Sequence, residues 1–194
     1  MNLELLTIRA KGFSMLEVLI SLFILSIGAM GAVGLQLASL RTAQQSAFHS
    51  VAVALSNELA EKMRSSDAQM KLADGANVFS TIKYNSQTDG NPPIPTLCYS
   101  TAASCSSTEL AKADIYEWLV RVKKSLPGAR VLVCRDSAAS PGSGKQLTWG
   151  CSSASNAGFV IKIGWTVKNP DGTFVEKRVQ ESPNFAISVE SYVR

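Results

Sequence analysis

The longest run of hydrophobic positions lies near the N-terminus and contains a single charge. From Phe13 to Leu35 there are 23 residues, and Glu17 is the only charged residue among them. Apolar residues then recur at every fourth position of a polar background, at Ala47, Val51, Leu55, Leu59 and Met63. This spacing is typical of an amphipathic helix. The pattern predicts one long helix that begins at Phe13 and ends between Ser65 and Lys71.

The middle of the chain combines turn formers with a second helical pattern. Residues 72–107 include the stretch TDGNPPIP and predict an irregular loop over the surface. The segment STELAKADIYEWLVRVKKSLPG predicts a helix with Ser107 or Thr108 as its N-cap and Pro127-Gly128 as its end. The apolar face of this helix comprises Leu110, Ile115, Trp118, Leu119, Val122 and Leu126.

Beyond Gly128 the hydrophobic period changes to two, which is typical of β-strands. Four segments have this period: ARVLVCR, FVIKIGWTVK, TFVEKRVQ and FAISVESYVR. The sequence NPDG at 169–172 predicts a hairpin between the second and the third of them. In the second segment, alternation of apolar with more polar residues predicts one buried face, made of Ile161, Ile163, Trp165 and Val167. The predicted fold class is α+β, with a long N-terminal helix packed on a small antiparallel sheet.

Composition and charge narrow the functional classes. Only 18% of the residues are charged and the net charge is +4, which does not suggest the dense basic stripe of a nucleic-acid-binding protein. At about 1.5 Å per residue, the run from Phe13 to Leu35 is roughly 34 Å long and can cross the ~30 Å hydrocarbon core of a bilayer. Arg9 and Lys11 precede this run, and the next basic residue is Arg41. Basic residues on this flank predict a cytoplasmic N-terminus and an exported C-terminal part.

Glu17 separates three interpretations of the apolar run. A secretory signal peptide fits the basic flank and offers Ala29-Met30-Gly31 as a cleavage site, but the run continues into the amphipathic pattern. A plain membrane anchor leaves Glu17 unexplained, because Asp, Lys or Arg at a membrane helix centre costs about 2.5–3.5 kcal/mol, and Glu is comparable, though its cost is lower near the helix end. Cleavage after Gly12 would expose the α-amine of Phe13 four residues before Glu17. The amine of one subunit could then pair with Glu17 of its neighbour, so that both charges are compensated only on assembly.

The cysteines fit an exported domain, where disulfides persist. Among the three pairings that four cysteines allow, local pairing of Cys98 with Cys105 and of Cys134 with Cys151 is preferred, because each pair brackets a loop. A zinc site does not fit the spacing, since there is no CxxC and the sole histidine, His49, lies far upstream. The sequence therefore predicts two disulfides, no metal and no cofactor.

Two further motifs have simpler interpretations than catalysis. His49 stands alone on the long helix and is interpreted as a surface or interface residue. SPGSGKQ lacks the first glycine of a phosphate-binding loop, where the chain has Ala139, and Gln146 replaces the required Ser or Thr. Neither motif predicts an enzyme.

The charged residues are interpreted mainly as solvated surface. Glu58 and Glu61 lie one turn apart on the long helix, in a stripe that also holds Lys62 and Arg64. A mild basic cluster near Trp118 could contact phosphates, but solvated surface is the preferred interpretation. This cluster consists of Arg121, Lys123, Lys124, Arg130 and Arg135.

KGFSMLEVLISLFILSIG resembles the N-terminus of type IV prepilins and of type II secretion pseudopilins. Their motif is a short basic leader ending in Gly, then Phe, an apolar run, and Glu at the fifth mature position. In that family a prepilin peptidase cuts after the Gly and methylates the new amine. The resemblance implies a leader over residues 1–12 that ends at Gly12, an N-methylated Phe13 as the mature N-terminus, and Glu17 as the assembly glutamate.

The same resemblance implies a division of the rest of the chain: a transmembrane and filament-core helix over 13–35, its amphipathic continuation over 36–71, and an exported α+β head over 72–194. One departure concerns Gly34, where many major pilins have a helix-kinking proline. Gly28, Gly31 and Gly34 either weaken the helix or permit close helix packing, and the residues favour neither.

The order of the helix EWLVRVKKSLPGARV and a strand containing GWTVK resembles, more loosely, minor pilins of the PilV type. The type II secretion counterpart of that subgroup is the minor pseudopilin I class. The resemblance implies a non-enzymatic minor pilin that helps to initiate type IV pilus assembly at or near the tip and supports twitching motility and adhesion. The alternatives are a minor pseudopilin of a type II secretion system, or a tip adhesin or DNA-contacting head.

The partners implied by the resemblance are proteins and lipid: the prepilin peptidase, other minor pilins, the major pilin, the inner-membrane assembly platform and, before assembly, the bilayer. No small-molecule substrate, cofactor or nucleic acid is implied. The implied location is the bacterial inner membrane, with a single span, a cytoplasmic N-terminus and a periplasmic head, and afterwards the extracellular pilus.

Overall fold

The structure is a computed structural model that describes residues 12–99, 104–137, 147–152, 157–167 and 182–189. The chain divides into two compact units, Met1–Gln44 and Gln45–Arg194. The first helix, α1, spans Met15–Ser65 and contributes to both units. Its end at Ser65 agrees with the hydrophobic pattern.

The two parts of α1 differ in burial as the sequence predicts. In the first unit every residue from Gly12 to Gln44 is exposed. In the second unit one helix face is buried, comprising Ala52, Leu55, Ser56, Leu59, Ala60 and Met63. Ala47 was expected on this face but is exposed, and Phe48 packs against the core instead. The reason is geometric, because a four-residue repeat advances about 40° per step relative to the 3.6-residue helical turn.

Two short elements follow α1: the helix α2, Asp67–Met70, and the strand β1, Lys83–Asn85. The expectation of an irregular segment over 72–107 was wrong at β1. This strand has only three residues and owes its conformation to pairing with β2, where Tyr84 lies opposite Val131.

The second long helix, α3, spans Ser107–Ser125. Its N-cap is Ser106 and not the expected Ser107 or Thr108, because Glu109 completes a capping box with Ser106. The Glu109 amide donates to Ser106 Oγ at 3.3 Å, and the Ser106 amide donates to Glu109 Oε2 at 2.8 Å. The buried residues of α3 are Ala111, Ala113, Trp118, Leu119 and Val122, whereas Leu110 is exposed.

Gly128 makes the turn between α3 and the sheet. Its φ of +57° is a left-handed conformation that favours glycine. A Cβ at this position would lie 1.8 Å from Thr166 Oγ1. The Thr166 amide donates to the carbonyl of Pro127 at 2.8 Å, so the turn is held against the end of β3.

Strands β2, Arg130–Arg135, β3, Phe159–Gly164, and β4, Phe185–Val189, complete a four-stranded sheet with the order β1-β2-β3-β4. All three pairings are antiparallel, with Val133 opposite Ile161 and Ile161 opposite Ile187. The predicted hairpin at 169–172 and the predicted strand TFVEKRVQ lie outside the described residues.

The core of the second unit lies between the sheet and the two helices. Trp118 of α3 is fully buried, and its Nε1 donates to the carbonyl of Leu55 in α1 at 2.8 Å. Within the described residues, the core cluster combines apolar side chains of α1, α3 and all four strands. A long N-terminal helix with a small antiparallel sheet is thus present, which confirms the α+β prediction.

The expectation that β3 buries only one face was wrong, because all six of its residues are buried. The segment around Trp149 covers the second face. A Cβ at Gly164 would lie 2.9 Å from Trp149 Cζ2, so this glycine leaves the space that the indole occupies. Lys162 on the same face donates to the carbonyls of Thr148, at 2.9 Å, and Gly150.

Candidate functional site

The first described residues precede α1, and Ser14 begins the helical hydrogen bonding. The Ser14 carbonyl accepts from the amides of Glu17 at 3.0 Å and Val18 at 3.3 Å, and Ser14 Oγ accepts from the amide of Leu16 at 3.3 Å. Ser14 therefore acts as the N-cap. Sequence analysis did not identify this residue, although the spacing of Ser14 and Glu17 is that of a capping box.

Glu17 lies in the first turn of α1, where the helix favours a negative charge. Unpaired amides and the positive end of the helix dipole stabilise a carboxylate at such a position by about 0.3–1 kcal/mol. An acidic group costs about 2.5–3.5 kcal/mol at a bilayer centre and less near a helix end, where Glu17 lies. The helix terminus therefore offsets a part of the cost of placing Glu17 in lipid.

Phe13 and Glu17 border the same shallow concavity on the first unit, together with Val18, Ser21, Leu22 and Leu25. The Phe13 side chain is 83% exposed. A Cβ at Gly12 would meet no atom within 4 Å, so the fold does not require glycine there. Any requirement for Gly12 must come from another molecule, such as a processing enzyme. Arg9 and Lys11 lie outside the described residues.

The apolar half of α1 has its hydrophobic side chains exposed along its whole length. The helix is long and apolar enough to cross a membrane by length and composition. It is continuous through Gly28, Gly31 and Gly34, and a Cβ at any of these positions would meet open space. Packing inside this chain therefore does not explain the glycines.

All four cysteines form disulfides, and the pairs are Cys98–Cys105 and Cys134–Cys151. The paired Cα atoms are 6.1 Å and 6.2 Å apart, respectively. The first bridge closes the loop that leads into α3. The second ties β2 to the segment that covers β3, so both bridges stabilise connections rather than form a reactive site.

The other sequence candidates are a lone histidine and a segment with a passing likeness to a phosphate-binding loop. His49 contacts two aromatic residues edge-to-face, with ring centroids 6.3 Å from Trp165 and 5.5 Å from Phe185. SPGSGKQ lies outside the described residues. Among the described residues, no group of three His, Cys, Asp or Glu side chains could hold a metal ion.

The charged residues of the second unit are distributed in separate pairs. Arg121 of α3 binds Glu58 of α1, and Lys62 Nζ donates to Asp114 Oδ1 at 2.5 Å. The interpretation of the stripe as solvated was therefore wrong for Glu58 and Lys62, which join the two helices. Glu61 and Arg64 are exposed, as expected. Arg135 binds Asp74 at 2.8 Å. Two members of the predicted basic cluster, Arg121 and Arg135, are thus held by different carboxylates.

Comparison with known proteins agrees with the N-terminal geometry. Residues 8–33 match the prokaryotic N-terminal methylation motif, and this range contains Gly12, Phe13 and Glu17. No curated protein and no solved structure matches the chain significantly. The long apolar helix and the antiparallel sheet are consistent with a type IV pilin-like α+β fold. Proteins with this motif are structural proteins rather than enzymes, and the motif is the N-terminal signal of type IV pilins and pseudopilins, which residues 8–33 of this chain resemble.

Proposed function

We propose that this chain is a minor pilin that helps to initiate type IV pilus assembly and lies at or near the pilus tip. The observation that carries the proposal is the methylation motif over residues 8–33, with Glu17 in the first helical turn, four residues after Phe13. The looser resemblance of the head to minor pilins of the PilV type supports the minor rather than the major role.

The proposed mechanism begins with cleavage after Gly12. Before cleavage, the apolar helix keeps the subunit in the inner membrane, with the head in the periplasm. Cleavage gives Phe13 a cationic amine, and methylation leaves an amine its positive charge. This amine pairs with Glu17 of an adjacent subunit, while the exposed apolar side chains exchange lipid for neighbouring helices. Both ions then meet an opposite charge in an apolar surrounding, which neither subunit provides alone.

Three variants separate this intermolecular role from a role in the helix itself, each expressed in a strain without the wild-type copy. Glu17→Ala and Glu17→Gln are expected to be processed normally but to reduce filament number at least tenfold, since both remove the charge. Ser14→Ala is the matched control, because it removes the cap of the same helical turn but leaves the charge. Wild-type filament counts with Glu17→Gln, or an equal defect with Ser14→Ala, would contradict the pairing.

The intact mass of the mature protein tests the processing step. The expected mass lacks residues 1–12, carries one added methyl group and has all four thiols oxidised. Gly12→Ala should mature faster than Gly12→Val, because the fold itself has room at this position and only a peptidase would detect the larger side chain. Normal maturation of Gly12→Val would refute cleavage at this bond.

The same motif occurs in pseudopilins, so the two systems are distinguished in the native host. Deletion of the gene should abolish surface pili and twitching motility if the protein is a minor pilin. Loss of exoprotein secretion with normal pili would instead identify a pseudopilin. Loss of adhesion with normal piliation would indicate a tip adhesin.

A further inference from the structure

A groove of about 510 Å³ lies on the second unit, between α3, β1 and the proline-rich loop, and the proposed assembly mechanism does not use it. Its walls are largely apolar. Ile82 comes from the segment before β1, Ile115 and Leu119 come from α3, and Pro93 to Pro95 come from the loop. Ile94 at the rim is 71% exposed. A groove of this size and lining can bury one or two apolar side chains of a partner.

The outer edge of β1 borders this groove. The Ile82 carbonyl accepts from Val133 at 3.0 Å, and the Ser86 amide donates to the sheet at 2.8 Å. Ile82, Tyr84 and Ser86 therefore direct their peptide groups towards β2. Because successive residues of an antiparallel strand direct their peptide groups to opposite sides, those of Lys83 point away from β2. One N–H and one C=O are thus presented at the edge of the described sheet.

Among the described residues, no backbone group pairs with the outer edge at Lys83. Asn85 is the next residue whose peptide groups point away from β2. Its amide donates to Asp89 Oδ2 at 2.8 Å, so the turn after β1 already satisfies this donor. Pro93 and Pro95, on the other side of the groove, have no N–H and cannot donate a hydrogen bond to the Lys83 carbonyl. An added segment could therefore pair at Lys83 without displacing an existing hydrogen bond.

Lysines surround the groove and a second concavity of about 470 Å³ that shares Ile94 and Tyr116 with it. Lys83 and Lys112 border the first, and Lys123 and Lys124 border the second. None of the ion pairs among the described residues includes these four lysines, and Lys123 donates instead to the neutral side chain of Asn91.

The one acidic residue in the lining of the groove is occupied by its own turn. Asp89 accepts hydrogen bonds on both oxygens, from the Asn85 amide and from Thr88 Oγ1, each at 2.8 Å. Lys83 interacts electrostatically with Asp89, and Lys112 with Glu109, but neither lysine is within ion-pair distance of a described carboxylate. Both ammonium groups can therefore still form a direct ion pair with an acidic group of a partner.

We propose that the groove binds an extended peptide segment of a partner protein, with an apolar side chain inserted and acidic side chains on either side. The peptide would pair with the free edge at Lys83, place its apolar residue between Ile94 and Ile115, and direct carboxylates towards Lys83 and Lys112. Strand addition supplies affinity through main-chain hydrogen bonds, while the groove and the lysines select the side chains. This site is separate from the N-terminal assembly residues, so either proposal can fail without the other.

The test uses the full mature chain in phosphatidylcholine nanodiscs and a fluorescent acetylated hexapeptide in which aspartate alternates with valine and tyrosine. Its matched control has lysine in place of aspartate. Fluorescence anisotropy should show that the acidic peptide binds at least tenfold more tightly. Lys83→Ala and Lys112→Ala should each weaken binding about two- to fivefold, the range of exposed ion pairs. Ile94→Asp, at an exposed position, should abolish it.

Lys71→Ala is the matched control variant, since Lys71 is exposed, pairs with Asp67 and borders neither concavity. It should bind the acidic peptide like the wild type. Equal affinity for the two peptides, or wild-type affinity in the Lys83→Ala and Lys112→Ala variants, would overturn the proposal. Saturation by laurate without any peptide binding would overturn it too and would identify an anionic amphiphile as the occupant. N-methylation of the peptide backbone should abolish binding, and unchanged binding would refute pairing at the strand edge.

Discussion

Lys162 offers the sharpest test of how the head is held together. Its ammonium is 2.5 Å from Asp136 Oδ2 and also donates to the carbonyls of Thr148 and Gly150. The two side chains are only 1% and 3% exposed. Lys162→Met keeps most of the apolar stem but removes the cation that faces a buried carboxylate. Breaking a buried ion pair from one side costs about 3–5 kcal/mol, so we expect a loss of stability in this range.

A second lysine provides a control with the same geometry and different burial. Lys62 Nζ is 2.5 Å from Asp114 Oδ1, but the two side chains are 24% and 31% exposed. Solvent screening limits such a pair to about 0–1 kcal/mol, so Lys62→Met should be far milder. Urea unfolding of the mature chain in nanodiscs can be followed by tryptophan emission, since all three tryptophans lie in the second unit. With a slope of about 2 kcal/mol/M, Lys162→Met should lower the midpoint by roughly 2 M.

The double variant Lys162→Met with Asp136→Leu shows whether the ion pair itself is responsible. It removes both charges, so the part of the penalty that comes from the uncompensated carboxylate should disappear. The carbonyls of Thr148 and Gly150 would still lack their donor, at about 1–3 kcal/mol each if no water replaces it. A cost of less than 1 kcal/mol for Lys162→Met, or a cost equal to that of Lys62→Met, would refute the reasoning.

Three further predictions concern the turn, the helix cap and a disulfide. In urea melts, Gly128→Ala should destabilise the protein by more than about 2 kcal/mol, because backbone strain of about 1–2 kcal/mol adds to a clash with Thr166. Gly90→Ala, at φ +69° in open space, should show the backbone strain alone. The cap amide holds the pKa of Glu109 below its ordinary value of 4.5. Glu109→Gln should therefore lower the melting temperature at pH 7, and the difference should vanish as the pH falls through the lowered pKa. Cys134→Ser combined with Cys151→Ser should cost about 3 kcal/mol in urea melts of the oxidised protein.

Each of these predictions has a result that contradicts it. Equal midpoints for Gly128→Ala and Gly90→Ala would exclude the clash. A Glu109→Gln difference that persists at pH 2 would exclude the carboxylate charge as its cause. Wild-type stability without the Cys134–Cys151 bridge would show that other contacts hold the covering segment in place.

The elements that could be predicted from sequence are those whose signal is long and local. The apolar run fixes α1, and a 3.6-residue period over many turns fixes α3. β1 has three residues among turn formers, and only its pairing with β2 makes it a strand. The alternating pattern placed Lys162 on a solvent-facing side of β3. The pattern cannot show that Asp136 and the carbonyls of Thr148 and Gly150 bind Lys162 in the folded chain.

The functional residues likewise comprise a local motif, which could be predicted from the sequence, and a groove that forms only in the folded chain. Gly12, Phe13 and Glu17 are recognisable because the chemistry of the motif lies within residues 8–33. The capping role of Ser14 could also be predicted, since Ser14 and Glu17 have the spacing of a capping box. The groove beside β1 could not be predicted, because Ile82, Ile94 and Ile115 come together only in the folded head.

The contrast between the two units supports an intermolecular partner for Glu17. In the second unit the described buried cation meets a carboxylate and two carbonyls of the same chain. In the described part of the first unit, Glu17 has no cation within ion-pair distance and stands on a helix whose apolar side chains are all exposed. By analogy with this buried pair, Glu17 requires an opposite charge in an apolar surrounding, and under the proposed pairing a neighbouring subunit supplies it.

The need to compensate the charge of Glu17 also constrains the position of the subunit in a filament. If each amine pairs with the glutamate of an adjacent subunit, every interior subunit is compensated twice, through its Phe13 amine and through Glu17. The outermost subunit has a neighbour on one side only, so one of these two groups would remain uncompensated there. A subunit that carries Glu17 therefore benefits from a neighbour on the side that the carboxylate faces. If Glu17 faces the tip, the proposed pairing favours a position that has another subunit on its tip side, such as the one next to the terminal subunit, over the terminal position itself.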